Sequence, residues 1–590
     1  MKLFPAHKAY FYRICRSVLC LLFVSGTLFG ANLYVVSTSG SDSDPGTPER
    51  PFRSINYGVS RCEPGDTLEI RGGVYYELVN RFSHSGTPDQ WITIRSRRGE
   101  RAVIDGNGQW TVIQFHGKSY YHFQGLEIRN GIWSGFNGTS YHHCILSDCV
   151  IHQIGPSSGT AVGIYVSTQP GSSDSSTHNL IQNNIIYDCA GEGIYVGNDA
   201  DACPPMGAPC NHNIIRGNTI YRCEEGIDVK FGSRFNRIVN NRIYNGNGGK
   251  YSAGILVYEH TEIDSNTVFK NSNHGITVQG NHNRLLRNVI YDNGGMGIFV
   301  TGYESHWNAM MDSGDDNHIM HNTVVGNGGW GVYLYGGNDQ DCRGTVIQNN
   351  IVMNNHEYQI VVEPHAVDGL VMEANNWFSS SGPVIRYAGK EYTSVESFRE
   401  ATGHGMHSMQ VDPRFMDLDA RRLHLQKTSP LIDRGVVLEF PYWGRAPDLG
   451  AFETPLEYEP LDEGGISAVP PKITARIFTS LSPHSRQLTV VLLASKKLAS
   501  VPGDLILRQS DGADTRISLS GSVGGQRFSG ILNLDEAVTE GPAYFYLEPG
   551  SLCDLEGNTG SVLTEGMDLY IDKTPPQIPS IISIHKSEDH

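Results

Sequence analysis

The sequence reads as an all-β protein in which a long β-solenoid is followed by a small β-sandwich. Three observations carry that reading. Asparagine followed by apolar residues recurs at Asn184, Asn218, Asn241, Asn266, Asn288, Asn322 and Asn350, with spacings of 34, 23, 25, 22, 34 and 28 residues. A second pattern, Gly-Ile-x-Val, recurs beside it at Gly163, Gly193, Gly226, Gly254, Gly275 and Gly297, and as Gly-Val-Tyr-Leu at Gly331. Of 38 asparagines, 30 lie between Asn179 and Asn376, and the residue nearly vanishes after Pro470. A minimal period of 22–25 residues built of short alternating strands is a solenoid signature. Leucine-rich repeats share the period but need a leucine frame that is absent.

The chain of 590 residues opens with a segment expected to be an export signal, residues 1–31. Lys2, Lys8, Arg13 and Arg16 precede the apolar run Val18–Val24, and small residues follow. The run is too short to span a bilayer, so an exported protein without membrane insertion is expected: periplasmic, extracellular or at the cell surface. Net charge is −17, which argues against nucleic acid or an anionic membrane as partner. A monomer is expected. Cys203 and Cys210 flank a short loop that a disulfide could staple, with buried thiols as the alternative.

Each coil reads as three strands, for example Ile214-Ile215, Thr219–Tyr221 and Ile227–Val229. Coils stack at about 4.8 Å, so equivalent residues lie above one another. The asparagines then form a ladder inside a turn, where asparagine tolerates left-handed backbone and its amide can bond the next.

Beyond the repeat, Leu33–Asp42, Pro45-Gly-Thr, Pro51-Phe and Pro64-Gly-Asp-Thr resemble the opening segment of the β-helix subgroup that includes family 9 polysaccharide lyases. Val411–Phe415, Leu423-His-Leu, Ser429–Gly435 and Asp448–Glu453 resemble that group's closing segment. The resemblance implies a right-handed parallel β-helix of the pectate-lyase kind over residues 32–460, with an N-terminal cap. It is specific for fold and weak for chemistry, because the fold hosts many activities.

Residues 461–471 read as a linker. From Lys472 to about Lys573 six or seven short alternating strands predict a β-sandwich. Asp554–Asn558 resembles a corner of bacterial immunoglobulin-like modules. Residues 574–590 are a polar tail.

The chemistry is expected on the outward face of the Gly-Ile-x-Val strands. Ile and Val point inward, so Tyr165, Tyr195, Asp228, Leu256, Thr277, Phe299 and Tyr333 form one outward column, and Lys230, Tyr258, Gln279, Thr301 and Tyr335 a second. Tyr165, Tyr195, Thr277, Gln279, Phe299, Tyr333 and Tyr335 are the candidate substrate-binding residues, since aromatic side chains suit the apolar faces of sugars. From motif glycine to the next ladder asparagine the loops run 21, 25, 15, 12, 13, 25 and 19 residues, which predicts a trough with a low middle at Gly226–Gly275. Between Asn211 and Lys250 seven basic residues face three acidic ones, a local +4 that favours an acidic polysaccharide.

β-Elimination of a uronate glycan needs a base, a cation for the carboxylate and a donor for the leaving oxygen. Lys230 is the candidate base, Arg234 or Ca²⁺ the carboxylate partner, and Tyr258 the donor. An exposed lysine is protonated at neutral pH, and Asp228 on the same face would hold it so. The base role therefore requires Asp228 to be engaged by Ca²⁺ or by Arg234.

Glu224, Glu225 and Asp228 match, by the same resemblance, the spacing of the family's calcium ligands, and hard oxygen ligands suit Ca²⁺. Both first positions are Glu here, and the family's base lysine would fall on Leu256. A non-catalytic glycan-binding or adhesion protein is the second reading. A glycoside hydrolase is the third, set back by the expectation that Asp228 has no outward carboxylate partner.

Overall fold

The structure is a computed structural model. It describes residues 31–454 apart from 156–160, 170–173, 199–208, 250–251, 305–309, 337–340, 381–383, 439–441 and 443–444, and beyond them only strand segments and some connections between 473 and 571. The expected export signal up to residue 30, the linker, the tail and Cys203 lie outside the described residues. Cys210 is buried and unbridged.

Three long sheets of 13, 12 and 12 strands wind around one core, each taking one strand from each successive coil. Neighbouring coils pair in parallel, in register. The expected trio of strands is present as Ile214–Arg216 in the first sheet, Thr219–Tyr221 in the second and Ile227–Val229 in the third. The fold is the right-handed parallel β-helix. Ile215, Ile220, Ile227 and Val229 are fully buried, as are their counterparts in the adjoining coils, so the alternation of the sequence builds one continuous apolar column.

The asparagine ladder runs between the first and second sheets. Asn184, Asn218, Asn241, Asn266, Asn288, Asn322 and Asn350 each hand a side-chain amide to the next rung at 2.9–3.0 Å, the last of them to Asn375. The left-handed residue is not the rung. It is the residue before it: Asn183, Asn240, Ser265, Arg287, His321 and Asn349 have φ of 50–58°. That corrects the expectation that the ladder asparagines adopt this conformation. Two further ladders flank the first, through Asn179–Asn213–Asn236 and through Asn271–Asn293–Asn327–Asn355.

The motif glycines stack at the entrance to the third sheet. A Cβ on Gly226 would lie 2.4 Å from the carbonyl oxygen of Gly254 and 2.4 Å from Ile243 Cγ2. Gly163, Gly193, Gly275 and Gly297 show the same closeness to the next coil's backbone. Only glycine lets the coils close here.

Helix Ile55–Arg61, capped by Ser54, packs Ile55 and Val59 into one end of the core, and helix Val395–Thr402 packs Val395 and Phe398 into it further along the chain. The segment after residue 411 folds back over the outer face of the second sheet. Phe415, Leu423, Leu425, Leu431 and Leu449 pack on Phe269, Tyr291, Val325, Ile351 and Met353, and Arg421 pairs with Asp292 at 2.5 Å. Beyond, the described strands between 473 and 571 form sheets of five, four and two strands, with a core of Val490, Leu492, Leu505, Leu507, Phe528 and Phe545.

Candidate functional site

The outward column of the third sheet is as the strand alternation requires. Paired Cα registers run Gln114, Asn137, Tyr165, Tyr195, Asp228, Leu256, Thr277, Phe299, Tyr333, Val361 and Arg386. Its residues are far less exposed than the sequence suggests. Asp228 is fully buried, Thr277 is 1% exposed, and Tyr195 and Tyr333 are 8% exposed. Neighbouring side chains cover one another at the coil spacing: Tyr165 packs on Tyr195 with centroids 5.1 Å apart, and Phe299 stacks on Tyr333 at 5.3 Å with Tyr335 edge-on. Gln279 is half-buried beyond Tyr258.

At the middle of the column three carboxylates meet. Oxygens of Glu192, Glu225 and Asp228 lie within 4.8 Å of one another. Glu192 and Glu225 each precede a motif glycine, so stacking of the coils places one above the other, and Asp228 comes round from the strand that follows Glu225. Glu224, one residue earlier, is outside this group; its charge still raises the Glu192 carboxyl. Of the set inferred from resemblance, the structure brings Glu225 and Asp228 together, and the third carboxylate beside them is Glu192 of the preceding coil rather than Glu224. A fixed spacing within one coil misses Glu192 because that residue is 36 positions before Asp228. Asp228 also has two carboxylate neighbours, against the expectation of none.

Lys230 stands at the rim. Its Nζ lies 2.6 Å from Asp228 Oδ2 and 5.1 Å from the centre of the Tyr195 ring. Desolvation works to lower its pKa, but the Asp228 charge, followed by Tyr258 and Tyr195, outweighs it and holds the ammonium well above the usual lysine range. Among the described residues no backbone group donates to either Asp228 oxygen; its polar neighbours are the Lys230 ammonium and the Glu225 carboxyl. Burial and the Asp228 charge push Glu192 up to about 7, and the same two causes push Glu225 well above the carboxylate range. Crowded, desolvated carboxylates with hard oxygen donors fit a divalent cation.

Tyr258 stands where expected but is buried, and Arg234 has a different partner. Tyr258 does follow Lys230 in the next coil, since Asp228 pairs with Leu256, but it is 5% exposed and packs with Ala253, Leu256 and Phe231. Arg234 turns away from Asp228 and pairs with the buried Glu259 at 2.7 Å. Glu259 also accepts the Gly232 N–H at 3.0 Å, so Arg234 braces the turn beside the site. The expected trough walls lie partly outside the described residues. The bases of two of them are tied together by Asn198, which accepts from Ser167 Oγ at 2.6 Å and donates to Thr168 Oγ1 at 2.7 Å.

Sequence reasoning missed two aromatic residues. Trp110 and Trp133 stack with centroids 6.0 Å apart and planes 5° apart, and Trp133 meets Tyr165 edge-on at 5.0 Å. They precede strands that lack the Gly-Ile-x-Val pattern, so the repeat gave no signal there.

Comparison with known proteins agrees on the fold. Residues 34–230 match the family described as Pel9A-like, right handed beta helix region, and residues 181–339 and 253–397 match the right handed beta helix region. The chain is 27% identical over 466 residues to the uncharacterized protein YwoF of Bacillus subtilis (strain 168), covering 68% of this chain and 92% of that one. It is 30% identical over 120 residues to pectate lyase PEL9 of Emericella nidulans, covering 18% of this chain and 29% of that one. Among solved structures, pectate lyase Pel9A aligns with 17% identity and a TM-score of 0.43, covering 72% of this chain and 96% of its own. The periplasmic alginate epimerase AlgG aligns with 13% identity and a TM-score of 0.36, covering 61% and 83%. The chain thus carries a pectate-lyase-like right-handed β-helix. Among the described residues no helix is long and apolar enough to cross a membrane.

Proposed function

We propose that the protein is an exported lyase that cleaves a uronic-acid glycan of the pectate or alginate type by β-elimination. The observation that carries this reading is the convergence of Glu192, Glu225 and Asp228 within 4.8 Å beside Lys230 on the outward face of the helix. The similarity to a pectate lyase of Emericella nidulans supports the substrate class.

Glu192, Glu225 and Asp228 would hold Ca²⁺. When bound, that cation would draw charge from the uronate carboxylate and make the C5 proton more acidic. The residues of this chain do the rest. Lys230 takes the C5 proton once the charge of Asp228 is engaged elsewhere; the C4–O bond then breaks and a C4–C5 double bond forms. Tyr195 lies under the Lys230 ammonium and keeps it at the rim. Tyr258 stands in the Lys230 column, and its hydroxyl is the donor to the departing oxygen. Arg234 acts through Glu259, by fixing the turn after Asp228.

The test is incubation of the mature protein with pectate, alginate and glycosaminoglycans, with and without chelator. Ultraviolet absorbance of unsaturated products, lost in Lys230→Ala and on chelation, supports the reading. The nearness of Asp228 to two other carboxylates gives the hydrolase reading a specific observation. New reducing ends without that absorbance would establish hydrolysis instead. Binding without any cleavage would make this a glycan-binding protein.

A further inference from the structure

Trp110 is 63% exposed, whereas Trp133 and Tyr165, the next rings toward the acidic pocket, are half-buried and Tyr195 is buried. A broad ring left in water at the end of a run of aromatic contacts that leads to the pocket offers apolar surface to a ligand. The backbone fixes its pose: Trp133 N–H donates to the Trp110 carbonyl at 2.8 Å, and Thr111 and Ser134 share a hydroxyl contact at 2.9 Å just beyond. The following strand, Thr111–His116, is the outermost of the third sheet.

From Trp110 the contacts run unbroken to the acidic pocket. Trp110 stacks on Trp133, Trp133 meets Tyr165, Tyr165 meets Tyr195, and Tyr195 lies under Lys230, which pairs with Asp228. Beside this ribbon, Asn137 occupies the outward column between Gln114 and Tyr165, and among the described residues its buried Oδ1 has no hydrogen-bond donor. An unfilled acceptor next to flat rings is what a sugar hydroxyl and a pyranose face together require. The ladder on the second sheet, Tyr187, Tyr221, Tyr244, Phe269 and Tyr291, is stacked in the same way but covered, since Arg222 and Arg242 lie over its rings.

We propose that Trp110 and Trp133, continued by the half-buried Tyr165, form a stacking platform for the sugar rings of a glycan that extends from the acidic pocket toward the N-terminal coils. The proposal rests on the reading of that pocket as the place where a uronate glycan reacts. It makes the protein prefer longer chains, because only they reach both the pocket and the tryptophans.

The experiment is calorimetric titration of a short and a long oligogalacturonate, and the matching alginate pair, in a Lys230→Ala background that prevents turnover. The long probe should bind roughly tenfold tighter than the short one. Trp110→Ala and Trp133→Ala should each remove most of that gain while short-probe affinity stays, and Trp110→Tyr should keep it. Circular dichroism confirms that the variants fold. Equal affinity for long and short probes, or a gain that survives both alanine variants, overturns the platform alone. Loss of the gain with binding indifferent to Asp228→Asn upholds the platform and removes the pocket reading. If neither this background nor the wild-type protein binds any of the four probes, both fall.

Discussion

Lys230 Nζ lies 2.6 Å from Asp228 Oδ2, and that ion pair is the central electrostatic fact of the site. Asp228 is fully buried, so its charge has Lys230 as its partner and two further carboxyls within 4.8 Å. Breaking a buried pair on one side is costly, which ties the charge of Lys230 to that of the carboxyl cluster.

Calcium titration should separate the two candidate ligand sets. Terbium luminescence or calorimetry is expected to show one site that Asp228→Asn and Glu225→Gln abolish and Glu192→Gln weakens at least tenfold. Glu224→Gln should change affinity by less than about threefold, because its carboxylate is outside the cluster and acts at a distance. Equal losses in Glu224→Gln and Glu192→Gln would return the ligand set to the one spaced within a single coil.

Stability without cation should depend on pH through Glu192. Its carboxyl is raised from an ordinary 4.5 to about 7 in the folded protein, by burial first and by Asp228 second. The folded state then binds a proton more tightly than the unfolded one. The stability this contributes is complete below about pH 4.5 and is lost as pH rises through about 7. Glu192→Gln should match wild type below that window and exceed it above, by at most about 3 kcal/mol. Denaturant melts in chelator at the two ends of the window measure the difference. Excess calcium at high pH should reverse its sign, because the variant lacks a ligand.

Asn241→Ala should be strongly destabilising. Asn241 donates to the Ile215 carbonyl at 2.9 Å and to Asn266 Oδ1 at 3.0 Å, and accepts from the Asn218 backbone and side chain at 2.9 Å each. Truncation strands buried groups on two coils, at about 1–3 kcal/mol each. Asn247→Ala, at an exposed position, should stay within about 0.5 kcal/mol of wild type. Chemical denaturation compares them.

Gly226→Ala should disturb the site through the fold. The added Cβ would meet the Gly254 carbonyl oxygen and Ile243 at 2.4 Å, so the coils must part beside Glu225 and Asp228. A loss of about 1–3 kcal/mol or more is expected, with weakened calcium binding. Wild-type affinity and melting in this variant would show that the glycine stack carries no strain.

The sequence alone determined the architecture. A repeat of Asn184, Asn218 and Asn241 beside Gly193, Gly226 and Gly254 leaves little choice, because a ladder amide and a Cβ-free turn each serve only if coils stack in register. Two-residue alternation likewise told which residues face out, so Asp228, Lys230 and Tyr258 were correctly aligned on one sheet. What the sequence could not determine was how much of that face is covered and which charges meet there. Glu192 joins Glu225 because the 32 residues between them return the chain by one coil spacing. Arg234 is drawn to Glu259, and Trp110 comes to lie flat on Trp133. Those are contacts between coils, set by the stacking geometry and by competition among neighbouring charges, and no spacing along one strand encodes them.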